Sequence, residues 1–154
     1  MQIFTIGVYG KTEEAFFGAL VSAKIDVLAD IRRRRGVRGK EYAYANKQRL
    51  EKELAARGMR CVHIPRLAPP QELRQVQKSA DMAEKVLKSE RRGLSQAFCD
   101  GYRAACLSDY TWEDFVRDVG ENAGRVALFC VEGPAEACHR SLVVAHFGLE
   151  ATNL

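Results

Sequence analysis

The segment Cys130-Val131-Glu132-Gly133-Pro134-Ala135-Glu136-Ala137-Cys138-His139-Arg140 concentrates side chains capable of chemistry. A thiol beside an imidazole or a guanidinium is shifted toward its thiolate, so Cys130 and Cys138 are candidate nucleophiles with His139 as base. The spacing excludes a phosphatase loop, because C-x5-R counted from Cys130 lands on Glu136, and no C-x-x-C redox pair is present. Asp30 and Glu132 are candidate general acid and base groups. Arg32 and Arg140 carry planar forks that suit phosphate or carboxylate oxygens.

Each group also has a plainer reading. Cys130 closes an apolar run, and Cys138 shares the stripe Cys138, Leu142, Ala145 and Leu149, so both thiols suit a core. Asp30 and Arg32 suit a strand-end ion pair that only fixes loops. Thr5-Ile6-Gly7-Val8-Tyr9-Gly10-Lys11-Thr12 approximates the phosphate-loop pattern G-x-x-x-x-G-K-[ST], but Thr5 stands where the first glycine belongs. That departure favours a tight turn or simple anion nest over a triphosphate loop. Cys61 and His63, two apart on a strand, share a face and could gather zinc with Cys130, Cys138 or His139. None of the usual close ligand pairs is present, so no metal and no cofactor is assigned. Tyr42 and Tyr44 suit stacking on bases or packing of a loop, and His146 reads as structural.

Charge is unevenly spread. Between Arg32 and Arg60 the chain has eleven Lys/Arg against three Glu, while the remainder carries thirteen basic and seventeen acidic groups. A local excess of this kind points to an acidic or phosphate-rich partner. With 47% hydrophobic and 29% charged residues, the 154-residue chain has the composition of one folded domain, 1–154, and not of a disordered segment. No apolar run reaches the roughly 18 residues a membrane span needs, and Met1 to Gly7 lacks signal-peptide features. Five cysteines without an export signal suggest reduced thiols and a cytoplasmic protein with no membrane partner.

The elements that must position these residues alternate. Strands are expected at Gln2 to Ile6, Ile25 to Ile31, Met59 to Ile64 and Arg125 to Val131. Helices are expected from the Thr12 cap through Lys24, from Asn46 toward Gly58, and from Glu136 to Phe147. Between the third and last of these strands, Pro69 to Leu107 is helix-rich, with Leu73, Val76, Ala80, Ala83 and Leu87 at helical spacing and Gly93 separating two helices. Thr111 with Asp114 outlines a helix start close to a capping box, with Phe115, Val116 and Val119 inward. Helical crossovers imply a mostly parallel central sheet covered by helices, an α/β fold. Ligands in such folds bind beyond the carboxyl ends of the strands. Gly7 to Lys11, Asp30 to Arg38, Ile64 to Pro70 and Cys130 to Arg140 all fall there.

Taken in order, Thr5-Ile6-Gly7 with Gly10-Lys11, Asp30-Ile31-Arg32, Leu67-Ala68-Pro69-Pro70-Gln71-Glu72-Leu73-Arg74, Tyr102-Arg103, Cys130-x-Glu132 and Cys138-His139-Arg140-Ser141-Leu142 resemble the domain of unknown function 488 family. The resemblance implies a compact α/β fold with these motifs at one end of a parallel sheet, and no established reaction. It carries site roles to Gly7, Gly10, Lys11, Asp30, Arg32, Arg38, Cys130, Glu132, Cys138, His139 and Arg140. Val8 departs from the aromatic or histidine usual after T-I-G, Arg35 and Val37 from a proline and a serine, and Ala68 from a glycine.

The expected function is an anion-binding pocket at the sheet's carboxyl edge. There Lys11, Arg32, Arg38 and Arg140 would hold a phosphate-bearing small molecule or nucleic acid, with Asp30, Glu132 and Cys130 as chemical groups. Two alternatives are a thiol-dependent enzyme using Cys130 or Cys138 with His139, and a non-catalytic module whose arginine loop binds an acidic partner.

Overall fold

Apolar residues on both sides of every central strand build two cores at once. The computed structural model describes residues 1–87 and 90–154. Strands β1 (Gln2–Ile6), β2 (Val27–Asp30), β3 (Arg60–His63), β4 (Arg125–Phe129) and β5 (Ala151–Asn153) form one parallel sheet in the order β3-β2-β4-β1-β5. Along β4, Val126 and Leu128 point to one face and Ala127 and Phe129 to the other, as the two-residue period requires.

Helices α1 (Glu13–Ser22) and α2 (Lys47–Ala55) cover one face through Phe16, Leu20, Leu50 and Leu54. The other face is covered by α4 (Gln96–Tyr102), α5 (Trp112–Val119) and α6 (Arg140–His146), through Phe98, Tyr102, Phe115, Val119, Leu142 and Val143. Local chemistry sets the starts. Thr12 accepts from the Ala15 amide at 3.2 Å to cap α1, and Thr111 with Asp114 closes a full capping box on α5. Among the described residues, no helix is long and apolar enough to cross a membrane.

Three expectations change. The edge strand β5 pairs in parallel with β1 through Ile3–Ala151, Phe4–Thr152 and Thr5–Asn153. Three residues, two of them polar and exposed, leave no apolar pattern to read. The last helix begins at Arg140, not Glu136, so residues 130–139 form a loop held by side chains. The expected stripe through Cys138 breaks as a result: Cys138 is buried, yet Ala145 is exposed. Helix α3 (Gln71–Ala83) packs Leu73 of the expected stripe against the core but buries Gln77 and Asp81, while Val76 and, beyond the helix end, Leu87 stay exposed.

The loop after β1 and the loop after β4 meet backbone to backbone. Amides of Val8 and Tyr9 both donate to the Val131 carbonyl, at 3.1 and 3.0 Å. A β-carbon on Gly7 would lie 1.9 Å from the Glu132 carbonyl oxygen, so only glycine lets the two loops approach this closely. Gly7→Ala is expected to destabilise the fold by at least about 1–3 kcal/mol, as overpacking against backbone does. Urea denaturation measures this; an unchanged midpoint would refute the close approach.

Candidate functional site

Everything of chemical interest at the carboxyl edge starts from the turn that follows β2. Asp30 is fully buried at the strand end. Its carboxylate accepts from Arg32 Nε and Nη2 at 2.8 Å each, from the Arg32 amide at 3.1 Å and from Arg35 Nε at 2.8 Å. Burial alone would push this carboxyl up. The hydrogen bonds and charge of Arg32, joined by Arg35, outweigh it and hold Asp30 below the ordinary range. Asp30 is therefore an ionised anchor, saturated by donors. Arg32 in turn donates from Nη1 to the Ala45 carbonyl and stacks 4.3 Å over the Phe129 ring.

The same turn orients two histidines. His139 Nε2 lies 3.1 Å from the Ile31 carbonyl, and His63 Nε2 lies 2.9 Å from the Arg32 carbonyl. The Tyr102 ring packs against His139 with centroids 5.3 Å apart, and its hydroxyl donates to the Leu67 carbonyl at 2.6 Å. Tyr102 ends α4, and the chain continues as a π-helical turn, Arg103–Leu107, a distortion frequent near functional sites.

From β4, Cys130 Sγ donates to Glu132 Oε2 at 3.1 Å. Cys138 Sγ lies 3.6 Å from His139 Nδ1. The three ligating atoms Cys130 Sγ, Cys138 Sγ and a His139 ring nitrogen lie within 4.8 Å of one another, all buried. Burial opposes ionisation of Cys138, yet the Cys130 hydrogen bond and the charges of His139 and Arg140 hold its thiol well below the usual value. Cys130 moves up, through its hydrogen bond to Cys138 and its burial. Burial would lower His139, but the Cys138 charge and hydrogen bond raise it. Cys61 and Cys106 are pushed up to about 11, chiefly by burial, and Cys99 also rises. Cys138 is thus the one thiol of the five biased toward thiolate.

Above this group opens a cleft of about 560 Å³. Of the expected site residues, Arg32, Arg38, Cys130, Glu132, Cys138 and His139 line it. Asp30 stands directly behind Arg32. Arg140 stands behind the thiols, fully buried, and donates from Nη2 to the carbonyls of Glu132, Gly133 and Pro134 at 2.6, 3.0 and 3.2 Å. Gly7, Gly10 and Lys11 are not among the lining residues. Gly7 serves loop contact, Gly10 takes φ +82°, and the Lys11 carbonyl accepts from the Tyr44 hydroxyl at 3.0 Å. Tyr44 is core, packed on Phe16, whereas Tyr42 meets the edge of Tyr9 at 5.4 Å. Cys61 stands apart from the thiol cluster, 3.5 Å from Arg35 Nη2. His146 is structural, its Nε2 3.0 Å from the Tyr110 carbonyl.

The opposite wall comes from α3 and the chain after it: Arg74, Gln77, Lys78, Asp81 and Arg91 line it. Arg91 joins the two walls, donating to Asp81 Oδ2 at 2.9 Å, to Glu132 Oε1 at 3.2 Å and to the Ala137 carbonyl at 2.8 Å. Gln77 binds Asp81 at 2.7 Å and accepts from the Ser95 amide. The spacing Arg74, Gln77, Lys78, Asp81 is itself helical, and it is the signal that would have shown a polar inward face.

The family model described as domain of unknown function DUF488 matches residues 12–147, and the chain belongs to that family. The matched span contains Asp30, Arg32 and the whole 130–140 segment. No curated protein and no solved structure matches the chain.

Asp30→Asn leaves the buried Arg32 guanidinium without its counter-charge and the half-buried Arg35 with Glu51 alone, and is expected to cost about 3–5 kcal/mol at neutral pH. Because the folded-state pKa is lowered, the wild-type advantage is full above the unfolded carboxyl value of about 3.9 and shrinks as pH falls through the folded value. Denaturation of both proteins from pH 7 downward measures it. A gap that is small at neutral pH, or that does not narrow in acid, would refute the anchor.

Proposed function

We propose that the cleft binds a phosphate-bearing ligand of nucleotide size, either free or as a unit of a single nucleic-acid strand. One observation carries the reading. Seven cationic side chains line the cleft against two acids, and both acids are engaged by Arg91. Among the described residues, Arg33, Arg34, Arg38, Arg74 and Lys78 are exposed and form no ion pair, so their field falls on the cleft.

The volume of about 560 Å³ suits a small ligand better than a broad protein surface, which weakens the acidic-partner alternative. Tyr9, held edge-on by Tyr42, offers an aromatic face at the rim for a base. Arginine forks on the opposite walls would grip phosphate oxygens between them. Cys130, Glu132, Cys138 and His139 are the groups such a ligand meets at the floor, and any chemistry on it is assigned to them. Asp30 and Arg140 act behind them as positioning residues.

Binding of labelled mononucleotides and of short single-stranded oligonucleotides, followed by anisotropy over a salt series, tests the reading. Affinity is expected to fall with salt, for a strand by a log–log slope of about −0.7 per phosphate contacted. The exposed double variant Arg74→Ala/Lys78→Ala is expected to weaken binding roughly 10- to 100-fold at low salt. Absence of binding by both probes at low salt would overturn the proposal.

A further inference from the structure

We infer that Cys130, Cys138 and His139 form a three-ligand site for a soft divalent metal ion of the zinc class, open on its fourth side toward the cleft. Three independent features of the geometry point there.

The first is spacing. A tetrahedral zinc with sulfur at about 2.3 Å and nitrogen at about 2.0–2.1 Å requires a sulfur-to-nitrogen edge of about 3.5–3.6 Å. Cys138 Sγ and His139 Nδ1 stand 3.6 Å apart, and Cys130 Sγ completes a triangle with no side above 4.8 Å. Closing that triangle around an ion needs side-chain adjustments smaller than an ångström or so, on a loop already fixed from behind.

The second is the outer shell. A metal-bound imidazole commonly donates its other N–H to a carbonyl or carboxylate, which fixes the tautomer and the ring plane. His139 Nε2 sits 3.1 Å from the Ile31 carbonyl, leaving Nδ1 directed at Cys138 Sγ. Tyr102 holds the ring plane from one side. That carbonyl belongs to the turn locked by Asp30 and Arg32, so the histidine is aimed by a rigid element.

The third is the combination of ligand type and access. Two thiolates and one imidazole select zinc-class ions over calcium or magnesium, which take oxygen ligands. All three residues are buried in the fold yet line the cleft, the arrangement of a site with three protein ligands and one free position. As the metal–sulfur bond to Cys130 forms, that thiol gives up its proton, and Glu132 Oε2, which already accepts from Cys130 Sγ at 3.1 Å, is the group placed to take it. Cys61 and His63 lie outside the cluster, so the zinc grouping open to the sequence contracts to 130, 138 and 139.

The site lies on the floor of the proposed anion cleft, but its test uses the metal alone, so either reading can fail without the other. Reduced, metal-stripped chain is titrated with Co2+ and followed by sulfur-to-cobalt charge-transfer and visible d–d absorption. One Co2+ per chain is expected, with the intense bands of tetrahedral cobalt, displaced by stoichiometric Zn2+. Cys138→Ser and His139→Ala are each expected to weaken binding by at least about 100-fold, more than loss of an outer-shell partner does. Cys99→Ser, at a thiol outside the cluster, should leave binding unchanged. Circular dichroism and thermal midpoints separate loss of ligand from loss of fold. X-ray absorption of the wild-type zinc-loaded chain needs no variant and should show two sulfur neighbours with nitrogen or oxygen completing the shell. The proposal is overturned by weak octahedral cobalt bands, by binding insensitive to both substitutions, by a shell without sulfur, or by a Cys130–Cys138 disulfide forming in place of metal uptake.

Discussion

A single buried carboxylate sets the geometry of the carboxyl edge. Asp30 accepts four hydrogen bonds in a site without water access, three from Arg32 and one from Arg35. An isolated carboxylate there would be untenable, and an isolated guanidinium equally so; together each removes the other's desolvation penalty. The consequence travels along the backbone, because the Arg32 amide is one of the donors. It fixes the turn whose carbonyls at Ile31 and Arg32 hold His139 and His63. Arg35 supplies the second ion pair and reaches on to Glu51 of α2. The basic loop is thereby tied down at 32 and 35, while Arg33, Arg34 and Arg38 remain exposed.

A second buried knot does the same for the far wall. Arg91 bridges Asp81 of α3 to Glu132 and to the Ala137 carbonyl of the β4 loop. Gln77 passes the constraint to the Ser95 amide, one residue before α4 begins. Arg140 closes the same loop from within, since its Nη2 gathers three successive carbonyls that no helix satisfies. Loop 130–139 is thus shaped by guanidinium groups from two directions. This accounts for a segment that is irregular in backbone and yet largely buried.

Much of this was legible in the residues and some was not, for physical reasons. Strands β1, β2 and β4 announce themselves because a parallel sheet covered on both faces leaves nearly unbroken apolar runs, whereas the edge strand β3 is marked by the Gly58 and Pro65 that bound it. The Thr12 and Thr111 caps are visible because capping is local chemistry. Asp30, Arg32, Cys130 and His139 could be placed together because strand ends in such a fold converge. Helix α3 misled, since its apolar residues look like a core stripe while its inward side faces a polar cleft and selects Gln77 and Asp81. Which of two amphipathic faces turns inward depends on what lies opposite, and that is tertiary information. Strand β5 and the late start of α6 are likewise set by partners distant in sequence. The role of Lys11 was suggested by its neighbours' likeness to a phosphate loop, whereas Gly7 and Gly10 there answer to backbone contact and turn geometry.

The two knots divide the site into parts that obey different physics. At the rim, exposed cations act through solvent, so their pull on an anion is long-ranged, additive and screened by salt within roughly 10 Å at 0.1 M. At the floor, Cys130, Glu132, Cys138 and His139 lie out of bulk water, where interactions are short-ranged and governed by positions fixed to fractions of an ångström. A ligand drawn in by the rim would exchange diffuse attraction for specific contacts only if its charged end stayed near the arginines while another part reached the thiols. Under the proposed reading, depth would select for a molecule with an anionic end and a separate polar end, with affinity coming from Arg33, Arg34, Arg38, Arg74 and Lys78 and discrimination from the buried four. The acids reinforce this division. Asp30, Asp81 and Glu132 are each engaged by a buried arginine, so they organise the walls without cancelling the field that five exposed cations place over the opening.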